Sequence, residues 1–156
     1  MESITIVLFL VMLVLIAVVD WKTMLIPDAF SVTVFGIGLL SAATGSGPAF
    51  SDRLIGMAVV SVPMILITLA IPGAFGGGDI KLMAASGMML GWKLSLVAIF
   101  LAILTGGIYG SCLLITGKKG RFEHFAFGPF LCVGMVIALF WGEALIGWYG
   151  SVCGLW

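Results

Sequence analysis

Charge is scarce in this chain. Only 9% of its 156 residues are charged, against 62% hydrophobic, where a soluble domain carries roughly 25% charged residues. That scarcity excludes a soluble globular domain. Seven basic residues balance seven acidic ones, so no basic field marks a nucleic-acid partner. Cysteine is sparse as well. Cys112, Cys132 and Cys153 lie far apart without a CxxC pair, which signals neither a zinc site nor a disulfide framework. The single histidine, His124, stands beside Glu123 and has no second His or Cys arrangement to make a metal site. No metal and no organic cofactor is expected. The N-terminal run MESITIVLFLVMLVLIAVVD lacks the basic region and the small-residue cleavage site of a secretory signal, and is expected to stay as a membrane helix.

Long apolar runs are what the chain has in plenty, with a mean hydropathy of +1.31. Six can be placed, at roughly 4–19, 29–44, 54–74, 80–91, 94–116 and 125–149. They are apolar on all sides, whereas the strands of a membrane barrel would alternate apolar and polar residues. The expectation is an all-α, polytopic membrane protein: one transmembrane domain over 1–156, a compact bundle of six helices, no soluble domain. Basic residues are biased to alternate connections, with Lys22, Lys81, Lys118, Lys119 and Arg121 on one side and Arg53 and Lys93 on the other. By the positive-inside rule, 20–28, 76–81 and 117–124 face the cytoplasm and both termini lie outside. Trp141, Trp148 and Trp156 fit an outer interfacial belt.

Two segments are short for a bilayer core of about 30 Å. The first has about 16 apolar residues (about 24 Å) and the fourth about a dozen (about 18 Å) at about 1.5 Å per residue. Their cytoplasmic ends, Asp20 and Asp79, are thereby drawn inward. Ionisable side chains at that depth are expensive and usually functional. Asp79 follows Gly76, Gly77 and Gly78 in GGGDIK; an N-cap would explain the aspartate but not three glycines, which let an extended backbone approach closely. Two carboxylates within a few Å share a proton, so that one activates water while the other donates to the carbonyl under attack, as in aspartic proteases. Asp28, after Pro27 in LIPDAF, has an N-cap as its default and support of the site as its minority role. Lys81 is either a topology charge or a partner of the acidic pair. Gly128-Pro129, in FAFGPFL, is expected to bend or delay the last helix on the cytoplasmic side. The GGGD run lacks the spacing of a phosphate loop.

DWKTMLIPD, GGGDIK and FGPFL, in that order, resemble the type IV prepilin peptidases, GxGD-type aspartic proteases of the prokaryotic cytoplasmic membrane, and most closely the short Flp, or tight-adherence, branch. The resemblance implies that Asp20 and Asp79 are the catalytic pair, that Gly76, Gly78 and Lys81 complete GxGDxK, and that Ile26-Pro27 is the turn after the first aspartate. Family members often have Asn where this chain has Asp28, and commonly Pro where it has Ala126. The implied function is removal of the basic leader of type IV, Flp-like prepilins at the cytoplasmic face of the inner membrane. Implied partners are a prepilin or pilin-like precursor, membrane lipid, and a pilus or type II-like secretion machinery. Long forms also N-methylate the new terminus and carry an insert with paired CxxC motifs. Here about eight residues separate the first two segments and no CxxC exists, which speaks against methyltransferase activity. Two rival readings remain at this level: a small ion- or proton-coupled transporter using Asp20, Asp79 and Lys81, and a non-catalytic assembly subunit. Presenilin-like proteases share GxGD but carry Tyr-Asp and a late PAL, whereas Val19 precedes Asp20 here and the late motif is FGP.

Overall fold

The computed structural model describes residues 2–45, 47–115 and 126–154. Lys118, Lys119, Arg121, Glu123, His124, Phe125 and Trp156, which figure in the sequence expectations, lie outside the described residues. Five helices are present among those described: α1 (Glu2–Thr23), α2 (Asp28–Ala43), α3 (Phe50–Ala70), α4 (Gly77–Ile115) and α5 (Gly128–Val152). Four contain stretches long and apolar enough to cross a membrane, Ser3–Thr23, Phe50–Ala70, Gly77–Leu113 and Gly128–Val152; Asp28–Ala43 is a shorter apolar helix. The chain is an all-α, multi-pass membrane protein.

Among the described residues the helices number five, not the six expected, with α4 made of two helical halves that meet at Gly91. The segments expected at 80–91 and 94–116 are joined as α4, which no loop interrupts and which departs from helical geometry at Gly91 (φ 73°, ψ 175°). That φ lies in the left-handed region open to glycine. The contacts of α4 show that the chain doubles back there. In a straight helix Asp79 and Gly106 would be about 40 Å apart, at about 1.5 Å per residue. Yet Phe127 meets both ends: its ring lies 5.8 Å from that of Phe75 and 3.0 Å from a Cβ built on Gly106. The first half of α4 runs alongside α2, with Lys81 against Asp28 and Met88 against Gly38. The second half returns antiparallel to α5, with Leu94 against Gly142, Ala98 against Gly134 and Gly106 against Phe127. Pro48 packs 3.0 Å from a Cβ built on Gly91 and closes the reversal from outside.

α1 buries one stripe and leaves the rest apolar toward lipid, whereas the first half of α4 is central and buried all round over 85–91. On α1, Phe9, Leu13, Ile16 and Asp20 are buried while Leu8, Val11, Leu15 and Val18 are exposed. Spacings of three and four residues put each set on one face, so Asp20 is the last member of the core-facing stripe. On α4, Asp79, Leu82, Met83, Ser86 and Leu90 share the face of Asp79 and are buried, as are Ala85, Met88 and Met89 on the other faces. Both aspartates are therefore buried by the same register that buries the core.

The start of α3 differs from expectation by four residues. Ser51-Asp52-Arg53 reads as a polar connection, yet the helix begins at Phe50 and Arg53 is only 1% exposed. Its guanidinium donates to the carbonyls of Pro48 (3.0 Å), Gly38 (3.4 Å) and Met88 (2.5 Å) and to Ser41 Oγ (3.3 Å). These partners belong to the α2–α3 connection, the last turns of α2 and the last turn before the Gly91 break. The Gly91 break interrupts helical pairing beside Met88, and Arg53 supplies a donor there while tying in α2 and the connection.

Candidate active site

Asp20 lies one turn before the end of α1. The next turn closes with Met24 N–H on Asp20 O at 2.8 Å, and Met24 itself is left-handed (φ 53°), a conformation uncommon outside glycine. This turns the chain sharply into Ile26 and Pro27, and Pro27 becomes the N-cap residue of α2. Asp20 Oδ2 accepts the Gly128 N–H at 3.0 Å. Gly128 is the first residue of α5, with Pro129 next to it, so the carboxyl caps a helix 108 residues further on. A donor at a helix N-terminus, backed by the helix dipole, suits a carboxylate.

Asp79 is the third residue of α4, and its Oδ2 accepts the N–H of Gly76, the residue before the helix, at 3.3 Å. This is the returning half of a capping box. Each aspartate is thus held through Oδ2 at a helix N-terminus, with its second oxygen lacking a protein partner among the described residues. Both line one cavity of about 210 Å³, closed by Met24, Gly73, Phe75, Gly76, Ala126 and Phe127. Phe75 and Phe127 form its apolar wall, their rings tilted at 54°.

The glycines divide by what surrounds them. A Cβ on Gly128 would stand 2.6 Å from Asp20 Oδ2 and 3.1 Å from Ile26 Cδ1; one on Gly78 would stand 2.9 Å from Ile26 Cβ. One on Gly76 would stand 3.0 Å from Asp79 Oδ2, while one on Gly77 meets nothing within 4 Å. Gly76, Gly78 and Gly128 thus make room for the two carboxyls and for the turn between α1 and α2.

Lys81 and Asp28 depart from expectation. Asp28 is not the N-cap of α2: it opens the helix after Pro27 and makes no capping hydrogen bond. It instead receives Lys81 Nζ at 2.7 and 2.8 Å on its two oxygens. Two positions along a helix is about 200° of rotation, so Lys81 points away from Asp79. It bonds to Asp28 rather than to the acidic pair, contrary to the ion path drawn for the transporter reading. Sequence reasoning missed Met24, Phe75 and Phe127 as cavity residues. Phe75 adjoins GGGDIK and Phe127 opens FGPFL, which was the available signal; the left-handed Met24 had none.

Residues 7–111 match the profile of the type IV leader peptidase family. The chain is 33% identical over 145 residues to the prepilin leader peptidase/N-methyltransferase of Bacillus subtilis (strain 168), covering 92% of this chain and 58% of that protein. It is 30% identical over 142 residues to the protein of that name from Legionella pneumophila (88% and 50% covered). With the one from Aeromonas salmonicida (strain A449) it shares 31% over 144 residues (89% and 50%). The chain spans about half the length of these curated relatives. No solved structure matches it.

Proposed function

The chain belongs to the type IV leader peptidase family, and from that premise we propose that it is a membrane-embedded aspartic endopeptidase that removes the basic leader of type IV, Flp-like prepilins. The observation that carries the reading is the cavity shared by Asp20 and Asp79. Its volume of about 210 Å³ is several times the roughly 30 Å³ that a water occupies in the liquid, enough for a water beside a peptide group.

In the proposed mechanism the pair holds one proton. The ionised aspartate takes a proton from water as the water oxygen attacks the carbonyl carbon. The protonated aspartate gives its proton to the carbonyl oxygen. Collapse of the adduct breaks the C–N bond, the amine leaves with the first proton, and the second returns to the pair. Anchoring of both carboxyls through Oδ2 at helix N-termini fixes their positions before substrate arrives, the preorganisation on which such catalysis depends. Gly76, Gly78 and Gly128 support the site by giving the carboxyls room, and Gly77 leaves the approach over the loop open. Pro27 and Pro129 set the two helix starts, and the Lys81–Asp28 pair ties the first turns of α2 and α4 together.

The site faces the cytoplasm of the prokaryotic inner membrane in this reading, with both termini outside and a pilus or type II-like secretion machinery receiving the product. Lys22 and Lys81 lie at the site end. Methylation is left out of the proposal, since only residues 24–27 join α1 to α2. Co-expression with an Flp-type precursor tests the function, with the new N-terminus read by mass spectrometry. Asp20→Asn and Asp79→Asn each reach the membrane folded and lose roughly 100-fold or more of the cleavage rate, the scale of a positioned acid or base. Full leader removal by either variant refutes the proposal.

A further inference from the structure

Met24 is the exception to a rule that the rest of the chain keeps. Six positions among the described residues have a left-handed backbone; glycine fills five of them (Gly45, Gly47, Gly73, Gly91 and Gly154), and Met24 the sixth (φ 53°). A side chain in that conformation crowds the following carbonyl and costs free energy that glycine does not. We propose that Met24 is a specificity-determining residue, whose side chain packs on the apolar residue of the substrate at the C-terminal side of the cut. The inference rests on the peptidase reading and deepens it by naming the residue that selects this part of the substrate.

The local structure removes the ordinary reasons for a methionine. Met24 stands just past α1, and its N–H bonds to the carbonyl of Asp20 at 2.8 Å. That is the simple left-handed helix cap, in which glycine is the usual residue and asparagine the next. An apolar contact commonly joins the capping residue to the one four before it, but here that residue is Asp20. Nor is Met24 retained for the core, since it is 54% exposed. The turn does not depend on its side chain either. Thr23 Oγ1 donates to the Val19 carbonyl (2.9 Å) and accepts the Leu25 N–H (3.3 Å), which holds the backbone on both sides of Met24.

The place of the exception argues for the role. Met24 lines the cavity of about 210 Å³ that holds Asp20 and Asp79, with Phe75, Ala126 and Phe127 as its other apolar walls. A non-glycine residue held in a sparsely populated conformation beside reacting groups points to function. Contact with lipid would ask nothing of this backbone position that glycine could not meet. A methionine side chain is flexible and polarizable, suited to apolar groups of differing shape. In the reaction proposed above the leader, N-terminal to the cut, is basic. An apolar subsite at Met24 suits the first residue on the other side of the cut.

The test is the initial rate of the purified full chain on a purified Flp-type precursor in detergent, over a range of precursor concentrations. Met24→Gly is expected to raise KM roughly tenfold with kcat little changed, the signature of lost binding rather than lost chemistry. It is expected not to lower the thermal unfolding midpoint, because strain is relieved. Met24→Asn, which also tolerates the backbone, raises KM likewise, and Met24→Leu restores most of the loss. A precursor with alanine as its first residue after the cut raises the wild-type KM by a similar factor, and on it Met24→Gly loses nothing further. An unchanged KM in Met24→Gly, or a loss that persists in full on the alanine precursor, overturns the proposal and leaves the peptidase reading in place. A lowered midpoint would make Met24 a packing residue and also overturn it. No cleavage by the wild-type chain overturns the peptidase reading and this inference with it.

Discussion

Gly128 and Gly77 differ only in what stands next to them, and the difference sets what alanine does at each. A methyl at Gly128 would overlap the Asp20 carboxyl, 2.6 Å from Oδ2 and 3.0 Å from Cγ, so the carboxyl must move, and a displacement of about 1 Å costs on the order of 100-fold in rate. Gly128→Ala is expected to lower leader cleavage by that order while the protein stays folded, and Gly77→Ala to be the best tolerated of the site glycines; cleavage rates in one membrane assay give the ranking. At Lys81 the expectation is opposite. Its side chain and that of Asp28 are 58% and 69% exposed, and exposed ion pairs contribute about 0.2–1 kcal/mol. Lys81→Met should therefore change the unfolding free energy in detergent by less than about 1 kcal/mol. The sequence made the two aspartates legible because a charge inside an apolar run has few explanations. It could not say which face of α4 each charge takes relative to α2, so it left Lys81 as either a topology charge or a partner of the acidic pair, when its partner is Asp28.

Helix existence followed from apolar length, and helix ends failed where a polar group is satisfied by something distant in sequence. Arg53 is the clearest case. As a charge in Ser51-Asp52-Arg53 it reads as a loop or an outer topology residue; in the fold it is buried, donating to the carbonyls of Gly38 and Met88. The break between the segments expected at 80–91 and 94–116 is there, at Gly91, but the loop expected between them is not. A single left-handed glycine replaces a loop there, and Gly91-Trp92 carries no proline or asparagine to announce it. Since Arg53 joins α2, α3 and the first half of α4 beside that reversal, Arg53→Met removes the buried guanidinium's hydrogen bonds to Pro48, Gly38, Met88 and Ser41 together. A loss on the order of 3 kcal/mol is expected, read as a lowered unfolding midpoint in detergent. Arg53→Lys should recover only part of it, because an ammonium cannot span the separated acceptors as a planar fork does.

Across the whole molecule the site gathers at one end of the bundle. Asp20, the first turn of α4, the end of its returning half and the start of α5 all meet there, as the contacts of Phe127 with Phe75 and Gly106 require. The other end holds Gly91, the Arg53 clasp and the far terminus of α5, about 37 Å from Gly128 at about 1.5 Å per residue. Two native cysteines mark the two ends. Cys112, exposed, lies in the last turn of α4 at the site end, and Cys153, exposed, follows α5 at the opposite end. If the site faces the cytoplasm, a membrane-impermeant maleimide added to intact spheroplasts labels Cys153 in a Cys112→Ser, Cys132→Ser chain. A chain retaining only Cys112 is labelled only after the membrane is opened. Buried Cys132 stays unlabelled in either case until the protein unfolds. The reverse order for Cys112 and Cys153 would turn the bundle over and put the aspartates on the outer face. It would separate them from any leader held in the cytoplasm, so this labelling tests the membrane sidedness of the peptidase reading independently of its chemistry.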